Sequence, residues 1–192
     1  MRVTIIGAGH VGTALGEGWA KKHQVHYVTR ACPPHERGTV VNEADAVVLA
    51  TPADQAKAAV SGLPLFGKTL IDCTNPFKAD LSALEIGHST SAAEKLAALV
   101  PDARVVKAFN TVGYGILANP RFGDSKVMMM IAGDHAAAKQ RTMSLAADLG
   151  FEPIDAGPLM QARLLESLAM LWISLAMKGG LGRDFAFGLL RR

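Results

Sequence analysis

The chain opens with an apolar run, Arg2-Val3-Thr4-Ile5-Ile6, that passes directly into Gly7-Ala8-Gly9-His10-Val11-Gly12. Alone, a G-x-G-x-x-G pattern says little. Set between a predicted strand and a predicted helix, it is the fingerprint of a dinucleotide-binding βαβ unit. Gly7 permits the tight turn, Gly9 lets the backbone approach a pyrophosphate, and Gly12 lets the helix pack close to the strand. The helix start offers free N–H groups and partial positive charge to phosphates. His10 and Val11, inside the turn, join the three glycines as candidate cofactor-binding residues. His10 reads as a phosphate-side residue rather than as an acid or base.

Short β-rich runs then alternate with helix-like stretches, the pattern of a parallel sheet with crossover helices. Strands are predicted at residues 3–6, 25–29, 46–50, 69–72, 104–108, 127–132 and 153–155, and helices at 11–22, 55–61, 92–100, 135–149 and 159–177. The expected architecture is α/β: a Rossmann-type, doubly wound, mostly parallel sheet over residues 1–155, with a small helical extension over 156–192. Between Thr29 and Asp45 there is little room for a full helix. Ala31-Cys32-Pro33-Pro34 reads as loop, so the second crossover is expected to be truncated. Asn75 to Ser91 reads as a long loop, functional or mobile. The last long helix is apolar on nearly every face, so a subunit interface, and hence a homodimer, is expected there.

Composition excludes several functions. With 49% apolar and 19% charged residues among 192, the chain can bury a sizeable core. A net charge of +3 without a basic cluster argues against nucleic acid as a partner. No unbroken apolar run is long enough to span a bilayer, so no membrane partner is expected. The start shows no leader pattern, which points to a cytoplasmic protein. Cys32 and Cys73 lack metal spacing and are expected as reduced thiols. No metal site is expected.

The second strand ends Tyr27-Val28-Thr29-Arg30. A cofactor with a free ribose 2′-hydroxyl usually meets an acid there. Here the nearest acid, Glu36, lies beyond two prolines. Arg30 can pair with a 2′-phosphate and the Thr29 hydroxyl can donate to it, with His35 and Arg37 adding charge. The cofactor expected is therefore NADP(H). Thr51-Pro52 and Asn75-Pro76 follow two further strands at the carboxyl edge of the sheet, where open parallel sheets bind ligands. They should line the ribose and nicotinamide side. Phe109-Asn110-Thr111 closes the fifth strand at the same edge; Phe109 offers an apolar face to a ring, and Asn110 and Thr111 offer donors and acceptors.

No acid–base or nucleophile constellation emerges from Asp72, Asp155, His10 and His88. Alcohol dehydrogenases generally need a positioned Lys, His or Tyr. In β-hydroxyacid dehydrogenases it comes from a long helical second domain, which residues 156–192 are too few to build. Direct hydride movement between two bound rings needs no such group, and no catalytic residue is assigned.

These residues resemble the NADPH-dependent reductases of the deazaflavin coenzyme F420, and the related NADPH-binding domain of the six-transmembrane metalloreductases. The resemblance runs nearly end to end. It is carried by the stretch from Gly7 to Gly12, Thr29-Arg30, Asn75-Pro76, Val106-Lys107-Ala108-Phe109-Asn110-Thr111, Asp155-Ala156-Gly157-Pro158-Leu159, Ala162-Arg163-Leu164 and Glu166-Ser167. It implies NADP(H) on the glycine turn, with Thr29 and Arg30 at the 2′-phosphate, and usually a homodimer. It implies a second ring, coenzyme F420 or a flavin such as FMN or FAD, stacked on the nicotinamide. That small-molecule partner would lie among Asn75, Pro76, Phe77, Phe109, Asn110, Thr111 and Val112, with Gly157 and Pro158 nearby. The Phe-Asn-Thr segment is more similar to the metalloreductase version, whose second ring is an ordinary flavin. No membrane domain follows in this chain, so metal reduction across a bilayer is not expected. Two other readings stand beside this one: a reductase of a small imine or carbonyl, and an NADP(H)-binding module without turnover.

Overall fold

The computed structural model describes residues 1–190 and 192. In chain order its elements are β1 (Arg2–Ile6), α1 (His10–Trp19), β2 (Gln24–Val28), α2 (Pro34–Glu43), β3 (Ala46–Leu49), α3 (Ala56–Val60), β4 (Thr69–Asp72), α4 (Ala92–Leu99), β5 (Arg104–Lys107), α5 (Tyr114–Ala118), β6 (Arg121–Phe122), β7 (Ser125–Lys126), β8 (Met128–Gly133), α6 (Ala136–Leu149), β9 (Glu152–Gly157) and α7 (Ala162–Met177). Single 3₁₀ turns, Ala53–Gln55 and Leu159–Gln161, lead into α3 and α7.

Seven strands form one sheet in the order β2-β1-β3-β4-β5-β8-β9, and β6–β7 is a separate small hairpin. From β2 to β5 all neighbours are parallel. The β8 strand then runs antiparallel to β5, and β9 runs parallel to β8. The chain steps from β1 outward to β2, then returns past β1 to β3. Loops leaving β1 and β3 therefore diverge, which opens a crevice between them at the carboxyl edge. This is the expected mostly parallel, Rossmann-like sheet.

Apolar side chains fill both faces. One core gathers Ile5, Leu15, Trp19, Val106, Met129 and Leu145; the other gathers Ile6, Val41, Leu49, Leu70, Leu96 and Val105. Trp19 Nε1 donates to the carbonyl of Leu145 at 2.9 Å, which ties α1 to α6 across the first core.

The second crossover is not truncated: α2 is a full ten-residue helix. Pro33 serves as its N-cap and Pro34 starts it, the helical position that tolerates a missing N–H. The prolines begin a helix instead of marking loop. Only Val41 on α2 is fully buried, so its apolar period is too faint to read.

On α7, Ala162, Leu165, Glu166, Ala169, Trp172 and Ala176 face the interior, while Leu164 and Leu171 stand exposed. Trp172 stacks on Phe185 of the following segment at 5.1 Å and donates to its carbonyl at 3.0 Å. Residues Leu159–Met177 are long and apolar enough to cross a membrane by length and composition, with 39% of that window buried in the domain. The requirement for an unbroken apolar run missed this. The one acid in the helix, Glu166, is turned inward and paired within the domain.

Candidate functional site

Gly7 leaves β1 at φ +108, and a Cβ there would meet the Ala50 carbonyl oxygen at 2.5 Å. A Cβ on Gly12 would lie 2.2 Å from the carbonyl oxygen of Gly7, so the helix rests directly on the turn. Gly9 differs: its Cβ would meet nothing within 4 Å. It is the N-cap of α1, in extended backbone, with no side chain capping the helix. The first turn of α1 is therefore presented toward open space, as a phosphate-binding helix start requires. The Val11 side chain packs against the core, so only its backbone serves the turn. His10 is exposed and stacks on Tyr114 of α5, with centroids 4.6 Å apart and planes 17° apart.

A cleft of about 670 Å³ opens beside the turn. Its lining brings together Gly7, Gly9, Thr29, Arg30, Arg37, Thr51 and Pro52 with Gln55, while His10, Val11, Gly12, Asn75 and Pro76 are not part of it. Arg37 NH2 donates to the Arg30 carbonyl at 2.7 Å and its Nε donates to the Cys32 carbonyl, so it braces the loop after β2. Arg30 donates to the Gln55 side-chain oxygen across the cleft mouth. Arg30, Arg37 and Thr29 thus share this lining, and among the described residues no Asp or Glu lines the cleft. That donor set fits a phosphate on the ribose 2′-oxygen and not a bare hydroxyl. Gln55 gave no sequence signal; Arg37 could be read only as added charge.

At the ends of β4 and β5 lies a pair of carboxamides. Asn75 Nδ2 donates to the Asn110 carbonyl at 2.9 Å, and Asn110 Nδ2 donates to Asn75 Oδ1 at 3.0 Å. Asn110 Nδ2 also donates to the Leu165 carbonyl at 3.1 Å, which joins the pair to α7. Two buried oxygens, Asn110 Oδ1 after β5 and Thr51 Oγ1 after β3, have no hydrogen-bond partner among the described residues. Pro76 is buried and Phe77 half-buried, its backbone bridged to Leu84. The loop after Asn75 is tied by further backbone bonds, such as Glu85 N–H to the Pro76 carbonyl at 2.7 Å.

Phe109, Thr111, Gly157 and Pro158 are corrected as expected substrate contacts. The Phe109 ring lies in the core, 1% exposed, edge-on to Trp19 at 5.5 Å and Phe151 at 6.3 Å. Its backbone adopts φ 60, a left-handed conformation unusual for a bulky residue. The ring turns inward, and Asn110, next along, is the residue that meets Asn75. Thr111 is buried, whereas Val112 is half-buried, packed against the same core. Gly157 shares a row with Ile6, Leu49, Asp72, Lys107 and Ala132, but at the outer edge of the sheet. Since β9 runs against β1 to β5, Pro158 leaves toward the opposite edge, and Leu159 enters the core with Leu70 and Val105. Gly157 and Pro158 do not join the crevice.

Below the carboxamide pair is a cluster the sequence reading overlooked. Lys107, fully buried, places Nζ 2.9 Å from Asp72 Oδ2 and 3.0 Å from Glu166 Oε1. Burial alone would lower the ammonium, but the two carboxylates outweigh it and hold Lys107 above its ordinary value. Glu166 further accepts from the Ala92 and Ala93 N–H groups at 3.0 and 3.2 Å, at the start of α4. A lysine closing the short strand Arg104–Lys107 and a glutamate inside an apolar helix were the available signal. Beside the cluster, burial and then Asp72 push the Cys73 thiol up, which leaves it inert.

No family model matches the chain. Rat Metalloreductase STEAP3 is 38% identical over 107 residues, which are 55% of this chain and 21% of that protein. The F420-dependent NADP reductase of Methanothermobacter marburgensis is 31% identical over 145 residues, 71% of this chain and 64% of that protein. The chain is thus homologous to both proteins. The chain spans about a fifth of the metalloreductase it matches and just under two thirds of the reductase. Among solved structures, a candidate F420-dependent NADP-reductase from Arthrobacter sp. FB24 superposes with a TM-score of 0.88 at 29% identity, covering 100% of both chains.

Proposed function

We propose that this chain is an NADP(H)-dependent oxidoreductase whose second substrate is a flavin-like ring, coenzyme F420 or FMN/FAD. The observation that carries the reading is the cleft in which an uncapped helix start and the Thr29, Arg30 and Arg37 donors share one wall. Bound there, the dinucleotide would supply a nicotinamide able to exchange a hydride. The chain's own part is to bind and orient. The N–H groups of the turn and α1 would hold the pyrophosphate, and Arg30, braced by Gln55 and Arg37, would hold the 2′-phosphate. Thr51, Pro52, Asn75 and Pro76 would line the path to the nicotinamide, and Asn75, Phe77 and Asn110 would face the second ring. The relatives named F420-dependent NADP reductase support the deazaflavin; the metalloreductase likeness supports the ordinary flavin.

Mixing the protein with NADPH and either F420 or FMN, and following the nicotinamide absorbance, tests the reading. Oxidation of NADPH by one of them is expected; tight NADPH binding with no oxidation by either would make the chain a binding module. The burial of Phe109 favours that second reading, because the crevice loses its expected aromatic face. We also propose a homodimer. Leu164, Leu168, Leu171 and Leu175 fall on one side of α7 at alternating steps of four and three, a seam suited to a second copy. Sedimentation of the protein and of Leu164→Glu/Leu171→Glu checks it, with a dimer expected only for the former.

A further inference from the structure

Hydride exchange gives no task to the buried charges at the ends of β4 and β5, yet those charges hold the backbone that leads to Asn75. Lys107 Nζ donates to the Thr74 carbonyl, and Asp72 Oδ1 accepts from the Thr74 N–H at 2.9 Å. Both polar backbone atoms of the residue before Asn75 are therefore gripped. On the other flank, Glu166 is held by Lys107 and by the start of α4, and the neighbouring Leu165 carbonyl receives Asn110 Nδ2. The Asn75–Asn110 pair is fixed from both sides by one buried ion cluster.

We infer that Lys107, through Asp72 and Glu166, is a positioning residue that sets the Asn75–Asn110 carboxamide pair for the nicotinamide end of the dinucleotide. The inference rests on the NADP(H) reading above. Charges taken wholly out of water give little or no net stability compared with apolar groups of the same volume. What they supply here is geometry. Three elements far apart in sequence, the end of β4, the end of β5 and α7, converge on a single ammonium with directional bonds. Asn110 keeps Oδ1 unpaired in the pair they fix, an acceptor suited to an N–H donor such as a carboxamide. The glycine turn after β1 and Arg30 after β2, on the other side of β3, contact none of these residues through any hydrogen bond observed among the described residues.

The test compares NADPH with adenosine 2′,5′-bisphosphate, which carries the adenosine and 2′-phosphate but no nicotinamide. Calorimetry is run on the unmodified chain, on Glu166→Gln, which leaves a neutral Lys107–Asp72 pair, and on the uncharged Asp72→Asn/Lys107→Met/Glu166→Gln variant. The bisphosphate should bind all three within about twofold. NADPH should weaken by about tenfold in the triple variant, and by less in Glu166→Gln. If the triple variant does not fold by circular dichroism, Glu166→Gln carries the comparison. Equal weakening of both ligands assigns the cluster a merely structural role and overturns the inference, as does no weakening of either. If the unmodified chain binds neither ligand, the NADP(H) reading itself fails and this inference with it.

Discussion

The two ends of the proposed site are built by opposite means. At the β1–β3 end, the site is made of backbone: a glycine turn, an uncapped helix start and a loop braced by Arg37. Contacts there are mostly local in sequence, and the side chains that matter reach into the cleft from the loop itself. At the β4–β5 end, the site is made of side chains held by partners distant in sequence, with Asp72, Lys107 and Glu166 sharing one ammonium. The comparison teaches that a phosphate site can be assembled from a motif. A platform for a ring, by contrast, is assembled only when separate elements dock.

The largest effect should come from Lys107→Met alone. It leaves two buried carboxylates without their cation, and a loss of about 3–5 kcal/mol in denaturant-determined stability is expected. A shift below 1 kcal/mol would mean the second end is as locally built as the first. Next, Gly12→Ala should cost about 2–3 kcal/mol, because its Cβ would press on the Gly7 carbonyl. Gly9→Ala should leave stability within about 0.5 kcal/mol and weaken dinucleotide binding instead. Equal stability losses for the two glycines would break the picture of one packed and one open face on the turn.

Arg30→Ala should weaken NADPH by about 1–3 kcal/mol and leave NADH almost unchanged, read by fluorescence titration. Parallel losses would remove the 2′-phosphate from the first half of the site. The smallest effect belongs to the ion pair that joins α7 to α4 near the surface. Arg163 reaches Glu94 with two bonds, at 2.9 and 2.6 Å. That bond from Arg163 holds the Glu94 carboxyl below its ordinary 4.5, against a smaller opposing effect of burial. A carboxyl lowered in the folded state stabilises above its unfolded value and loses that contribution as pH falls through the folded one. Arg163→Ala should therefore lower the melting temperature at pH 7, and the difference from the unmodified protein should shrink as pH falls below 4.5 and vanish only below the lower, folded-state value.

What could be read from the residues follows the same division. The glycine turn and Thr29-Arg30 were legible because each acts within a few positions of its own element. The seven strands were legible because parallel strands buried on both faces are written as apolar runs. Phe109 misled because an aromatic residue at a strand end looks available; its left-handed backbone, invisible in the sequence, swings the ring into the core. Gly157 and Pro158 misled because one antiparallel junction, β5 to β8, reverses which edge the end of β9 faces. The α2 helix was hidden by two prolines and a single buried valine. Lys107 and Glu166 stood in apolar surroundings, a sign of pairing, but their separation in sequence concealed that they pair with each other.

The carboxylate of Glu166 also has a consequence in time. A chain leaving the ribosome displays its amino end first, so Asp72 and Lys107 are both made while the acceptor for the Ala92 and Ala93 amides has yet to be synthesised. The middle of the protein is complete as polypeptide long before it is complete as structure, and its last large helix acts as the clasp that closes it.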